Sequence, residues 1–207
     1  PILKYLIEYV FQTWAPLLID HRDGYAPSTN PTMCCDADIS GGQNWTWGLD
    51  NSDSDAWALS ASGTLGTTNV IHASTAGEVT YPLQPSFLGT PANSASNVTG
   101  AGTLYAIAST ERFDRGSDFD ASTATFTAPV TGLYLLGLTA TAISTTIATT
   151  FLVQIATTIR TYGWTFARAA SNNSQSSSIQ VLANMTAADT AVFSITVSGE
   201  AGNTVAV

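Results

Sequence analysis

The segment from Ala124 to Leu138 constrains this chain more than any other, because two apolar runs are separated there by Pro129 and Gly132. A proline removes a ladder donor and a glycine accepts the backbone angles of a tight turn, so the flanking runs are predicted to be neighbouring antiparallel strands. In the second run, Leu133 and Leu135 alternate with Tyr134, Leu136 and Leu138, which makes both faces of that strand apolar. One face is expected to meet a sandwich core and the other a second subunit.

Period-two patterns recur across the C-terminal half. Candidate strands are Ser86 to Gly89, Thr103 to Ala108, Ala124 to Thr127, Gly132 to Ile143, Thr150 to Ile159, Thr161 to Ala167, Ser177 to Met185 and Ala191 to Ser198. In the last of these, Phe193, Ile195 and Val197 are predicted to point inward, and Ser194, Thr196 and Ser198 outward. Tyr162, Trp164 and Phe166 share one face of their strand, either as core or as an exposed platform on which a sugar stacks. Composition agrees with strands and turns: 44% of the 207 residues are hydrophobic and only 10% charged. So little charge covers a free monomer poorly, which points to an oligomer.

Upstream, Asn44 to Tyr81 holds short alternating runs around Trp45-Thr-Trp47, Ala56 to Ser60, Asn69 to Ala73 and Glu78 to Tyr81, each closed by Asp, Asn, Ser or Gly turn residues. Strands this short are expected to be stable mainly by packing against other subunits. Residues 2 to 14 place Leu3, Ile7, Val10 and Trp14 on one helical face, widened by Ile2, Leu6 and Phe11. Two heptads are marginal alone, so this helix is read as a trimeric bundle, an attachment segment for a partner, or a cap on its own domain. His21 to Gly42 reads as an irregular connector. The expected organisation is therefore an N-terminal helix over 1–16, a connector over 17–43, a β neck over 44–85 and a β head over 86–207.

Several chemistries lack support in the sequence. Six cations against fifteen acidic residues give a formal net charge of −9, with no basic stripe for phosphates, so no nucleic-acid partner is expected. Cys34 and Cys35 are adjacent, poor geometry for the usual disulfide, and are read as free thiols or as partners of the same residues in a neighbouring subunit. His21 and His72 lack metal-ligand spacing to them. Asp50, Asp53 and Asp55 lack the glycine and terminal glutamate of a calcium loop and read as turn formers. The acidic set Glu111, Asp114, Asp118 and Asp120, interleaved with Arg112 and Arg115, reads as solvated loop charge, although paired carboxylates also serve glycoside cleavage. No nucleophile elbow or phosphate loop is present, and no enzyme activity, metal or cofactor is expected. Neither a signal peptide nor a membrane span is predicted from the opening run, which Lys4 and Glu8 interrupt.

Phe126, Pro129, Gly132 and Tyr134, with Phe119, the Phe151 strand and the Val192-Phe193 strand, resemble the globular heads of the first complement component, a trimeric jelly-roll family related to tumour-necrosis-factor folds. Gly48 to Ala56 and Ser74 to Pro85 resemble the neck or shaft modules of phage fibres. The resemblance implies a mainly β fold: a jelly-roll head on a β neck, assembled as a homotrimer. It further implies a virion fibre, on tail or capsid, attached through its N-terminal helix to another virion protein and contacting a host surface glycan or protein outside the cell. The candidate contact residues are Asn97, Arg112, Asp114, Arg115, Asp118, Asn172 and Asn173, on loops 93–102, 111–120 and 169–176. The family would run into one more core strand after Asn203, whereas this chain stops at Val207, so the head is expected to lack its last strand here. A bacterial surface adhesin or filament subunit, and a polysaccharide-degrading tailspike, are the alternative roles.

Overall fold

The structure is a computed structural model, and it describes residues 32–35, 42–91, 94–167 and 174–207. The sequence-predicted helix over 2–14 lies outside the described residues, as do Asn172 and Asn173. The chain divides into two units between Gln84 and Pro85.

The first unit contains a five-stranded antiparallel meander, β1 (Thr32–Cys35), β2 (Trp45–Asp50), β3 (Ala56–Ser60), β4 (Asn69–Ala73) and β5 (Val79–Thr80), in that spatial order. Each strand pairs with the next in sequence, as short turns dictate. Asp50 ends β2 and starts a short 3-10 turn by accepting from Ser52 N and Ser52 Oγ. β1 corrects the expectation of an irregular connector over 21–42: no proline falls within Thr32–Cys35, and its backbone finds a ladder opposite Trp45–Gly48.

The second unit is mainly β and antiparallel. Its largest sheet runs β13 (Thr161–Ala167), β12 (Thr150–Thr157), β15 (Thr190–Ser198), β10 (Thr125–Thr127), β9 (Phe119–Asp120), with β7 (Leu104–Ala106) also on β15. Opposite it lies a ribbon of two twelve-residue strands, β11 (Gly132–Ile143) and β14 (Ser174–Met185). A second ribbon pairs β6 (Ser86–Thr90) with β8 (Thr110–Arg115).

Alternation builds the core between these layers. Phe193, Ile195 and Val197 of β15 are buried as predicted, and Phe151, Val153 and Ile155 of β12 are buried beside them, facing Leu136, Ala140 and Ala142 of β11; Ser194, predicted to point outward, is instead buried where β7 pairs with β15 opposite Ala106. At one end Phe87 stacks on Phe119 with ring centroids 4.3 Å apart, and Phe126 and Phe193 complete the cluster.

Three expectations change. First, β10 and β11 are not paired neighbours: β10 bonds to β9 and β15, whereas β11 bonds only to β14 among the named strands. The reason lies at Ala128, whose N–H and carbonyl are both taken by the turn before β15, donating to Asp189 O and accepting from Ala188 N. Pro129 then offers no donor, and the chain crosses to the opposite layer, where Tyr134 meets Phe126 across the interior at 5.3 Å. Second, residues 111–120 are not a loop but most of β8, a three-residue turn and β9. Their charge conceals the strand, as is common for a strand paired on one side only. Third, the predicted loop 169–176 ends early, because Ser174, Gln175 and Ser176 already pair with β11.

The last residues are bonded on two sides. Val205 and Val207 exchange backbone hydrogen bonds with Ala95, Val98 and Thr99, and Ala206 exchanges a pair with Ile143. Val205 is fully buried there.

Candidate functional site

The sequence-predicted contact residues that the structure describes fall at two opposite ends of β15. Four of them lie on β8 and the turn that follows it. Arg112 is the extra residue of a bulge, since Phe113 pairs with Leu88 but Glu111 with Gly89, and its Nε donates to Thr90 Oγ1 at 2.6 Å. Arg115 is exposed opposite Ser86. Asp114 Oδ2 accepts from Phe119 N at 2.9 Å, which closes the 116–118 turn, while its Oδ1 is buried with no hydrogen-bond partner among the described residues.

Asp118 is half-buried beside it, and burial, reinforced by the Asp114 charge, raises its carboxyl above the ordinary value. Asp120 behaves in the opposite way: the Ser122 and Thr123 hydroxyls and the Ser122 amide hold its exposed carboxyl below the ordinary value.

Asn97 belongs to the other end. Asp118 O accepts from Thr127 N, opposite Thr190 at the start of β15, whereas Thr99 Oγ1, two residues beyond Asn97, accepts from Val197 N near its end. Seven residues of strand separate the two positions, about 23 Å. The strand ends that flank Asn172 and Asn173 lie at the Asn97 end: Ala167 pairs with Thr150 beside Ser198, and Ser174 pairs with Ile143 beside Ala206. The described candidate contacts, Asn97 on one side and Arg112, Asp114, Arg115 and Asp118 on the other, therefore form two separate surfaces.

Phe126 and Tyr134 have core and turn roles. Phe126 is fully buried, and the Tyr134 hydroxyl donates to Val130 O at 2.6 Å, bracing the bend that holds the exposed Pro129. Gly132 does not serve the predicted purpose: its φ lies outside the left-handed region, and a Cβ there would meet only Tyr134 Cε2 at 3.9 Å.

A different surface stands out. Register places Leu135 directly opposite Leu182 on the outer face of the β11–β14 ribbon, with Leu133 beside them. These side chains are 74%, 62% and 66% exposed, whereas their neighbours Tyr134 and Leu136 turn into the core. Along the rest of that face come Gly137, Thr139, Thr141, Gln180, Ser178 and Ser176, none of them charged. The sequence pointed to Leu133 and Leu135 through the double apolar alternation; Leu182 was hidden because β14 is otherwise rich in Ser and Gln. Trp164 is also largely exposed, while Tyr162 and Phe166 on the same strand pack against the core.

No group of three or more His, Cys, Asp or Glu placed to hold a metal occurs among the described residues. No helix among them is long and apolar enough to cross a membrane.

No family model matches the chain, and no curated protein gives a significant match. Among solved structures, the globular domain of zebrafish complement 1qA protein is similar, with a TM-score of 0.44 and 14% identity over 59% of this chain and 91% of that one.

Proposed function

We propose that the chain is a structural fibre subunit of a virion, a homotrimer whose C-terminal jelly-roll unit contacts a host surface glycan or protein and whose N-terminal segment attaches to another virion protein. The observation that carries this reading is the uncharged outer face of β11 and β14, where Leu133, Leu135 and Leu182 stand in water. A monomer gains nothing from three exposed leucines in one patch, whereas a homo-oligomer removes them from solvent in every subunit. Host contact then falls to the two ends of the sandwich, and many weak contacts repeated around an assembly give strong avidity. A bacterial surface adhesin would use the same assembly without a virion.

Sedimentation equilibrium of the full chain tests the reading. The expected mass is three times 21.6 kDa, and Leu135→Asp is expected to shift it toward the monomer. A wild-type protein that remains monomeric at tens of micromolar overturns it. Antibody labelling of intact particles separates virion fibre from adhesin.

The Asp114 and Asp118 pair favours a second reading, a polysaccharide-cleaving spike, because a carboxyl raised by burial beside another carboxylate is the form a general acid takes. Release of reducing sugar from host capsular polysaccharide, abolished by Asp118→Asn, is the result this reading requires.

A further inference from the structure

Asp114 has one carboxylate oxygen that is satisfied and one that is not. It stands opposite Phe87 in the β6–β8 ribbon, so its side chain shares a face with the ring that stacks on Phe119. Oδ2 accepts from Phe119 N at 2.9 Å and closes the 116–118 turn, whereas Oδ1 is buried with no hydrogen-bond partner among the described residues. A buried carboxylate oxygen without a donor is costly, and a donor close by removes that cost.

Asp118 is placed to supply one. The Phe119 amide nitrogen is one peptide bond away from it, so Asp118 Cα lies within about 5.5 Å of Asp114 Oδ2. The Asp118 carboxyl folds back over the turn: its Oδ2 lies 2.5 Å from where a Cβ on Gly116 would stand. Burial, and after it the Asp114 charge, raise this carboxyl above its ordinary value.

The surrounding elements leave the two carboxyls to each other. β6, β10 and β15 carry no charged residue. The Asp120 carboxylate on β9 is engaged by Ser122 and Thr123, and Asp189, just before β15, accepts from Thr186 N. On β8, Glu111 is exposed opposite Gly89, Arg112 is bound to Thr90, and alternation puts Arg115 on the opposite face from Asp114. Among the described residues no cation stands within ion-pair distance of Asp114 or Asp118. Two carboxylates this close, with no cation between them, are stabilised by holding one proton in common.

We infer that Asp118, when protonated, donates its O–H to Asp114 Oδ1, and that this bond is an acid-closed latch on the 116–118 turn, released when the proton is lost toward neutral pH. Arg115 and Asp118 are candidate contact residues, so the contact surface at this end of the sandwich stiffens in acid and loosens toward neutrality. The inference rests on none of the assembly or substrate readings above and fails separately from them, because the latch is read without host, partner or polysaccharide.

The test is site-resolved hydrogen exchange at the Phe119 amide in the full chain from about pH 3.5 to 7.5, expressed as protection, for wild type, Asp118→Asn and Asp118→Ala. Residue 118 is half-buried in a turn, so both replacements are compatible with the fold. Wild-type protection is expected to fall about fivefold as pH rises from 3.8 through the raised value, the ratio that one ordinary hydrogen bond sets. Asp118→Asn places a permanent N–H donor where the proton was, and is expected to keep the acid level of protection at neutral pH. Asp118→Ala is expected to show the low level throughout. Equal protection in the Asn and Ala variants overturns the inference, since relief of charge without a bond then accounts for the behaviour. A wild-type profile that stays flat across the range overturns it as well.

Discussion

The Tyr134 hydroxyl donates to the carbonyl of Val130 at 2.6 Å, four residues back along the chain. The bond spans the bend by which the backbone leaves one layer of the sandwich for the other, and the ring rests on Phe126 in the core. Tyr134→Phe keeps the ring and removes the bond. We expect it to lower stability by about 1 kcal/mol, the usual net worth of one such bond. Urea titration with an unchanged slope checks this.

Two glycines separate an apparent requirement from an actual one. Gly132 is in the sequence motif, yet a Cβ fits there in ordinary contact, so Gly132→Ala is expected to be neutral or slightly stabilising through lower freedom of the unfolded chain. Gly199 attracts no attention in the sequence, but it has φ +101° and a Cβ would lie 2.5 Å from Thr149 N. Gly199→Ala is expected to destabilise by about 2 kcal/mol or more, combining strain with a backbone clash. Thermal melts of the pair decide it.

What the sequence revealed follows from which signals are local. β11 and β13 were legible to the residue, since alternation and bounding turns are written in consecutive positions. Pairing across layers was not: nothing in residues 124–138 says that Ala128 will be engaged by the turn at Ala188 and Asp189, so a crossover read as a hairpin. β8 was missed because Thr-Glu-Arg-Phe-Asp-Arg has no apolar alternation and owes its conformation to the ladder with β6. The candidate contact residues were legible as polar surface, but their division between the two ends of β15 depends on register and could not be read. The leucine patch was half legible, for Leu182 acquires meaning only opposite Leu135.

Asp118 and Asp120 make opposite predictions in acid. The folded-state pKa of Asp118 is raised, so the folded protein binds more protons than the unfolded chain between the ordinary value of 3.8 and the raised one. Its charge opposes folding at neutral pH, and the penalty disappears as pH falls through that window. Asp120 is lowered, so its contribution is present above 3.8 and is lost as pH falls through its folded value. Asp118→Asn is therefore expected to stabilise the protein at pH 7 with the gain vanishing toward pH 3, and Asp120→Asn to destabilise at pH 7 with the loss vanishing below pH 3. Stability measured from pH 2.5 to 7 tests both signs.

Thr99 is fully buried at the end of β15, and its hydroxyl joins two segments: Oγ1 donates to Thr103 O at 2.6 Å and accepts from Val197 N at 2.9 Å. Its backbone carbonyl meanwhile accepts from Val205 N, so one residue ties the 95–103 loop to both β15 and the last strand segment. Thr99→Val preserves shape and strips the hydroxyl, which leaves the buried Val197 amide without this partner and breaks the bond to the Thr103 carbonyl. An unmet buried donor costs more than the bond itself was worth, and the expected loss is about 2–3 kcal/mol. Thr99→Ser restores the hydroxyl but opens a methyl-sized void, for an expected loss of about 1 kcal/mol. The order Thr, Ser, Val in stability is the signature of a hydrogen-bonding role; the order Thr, Val, Ser would mean that packing of the methyl group matters more than the hydroxyl. Hydrogen exchange at the Val197 amide supplies the local readout, with protection kept in the Ser variant and reduced in the Val variant.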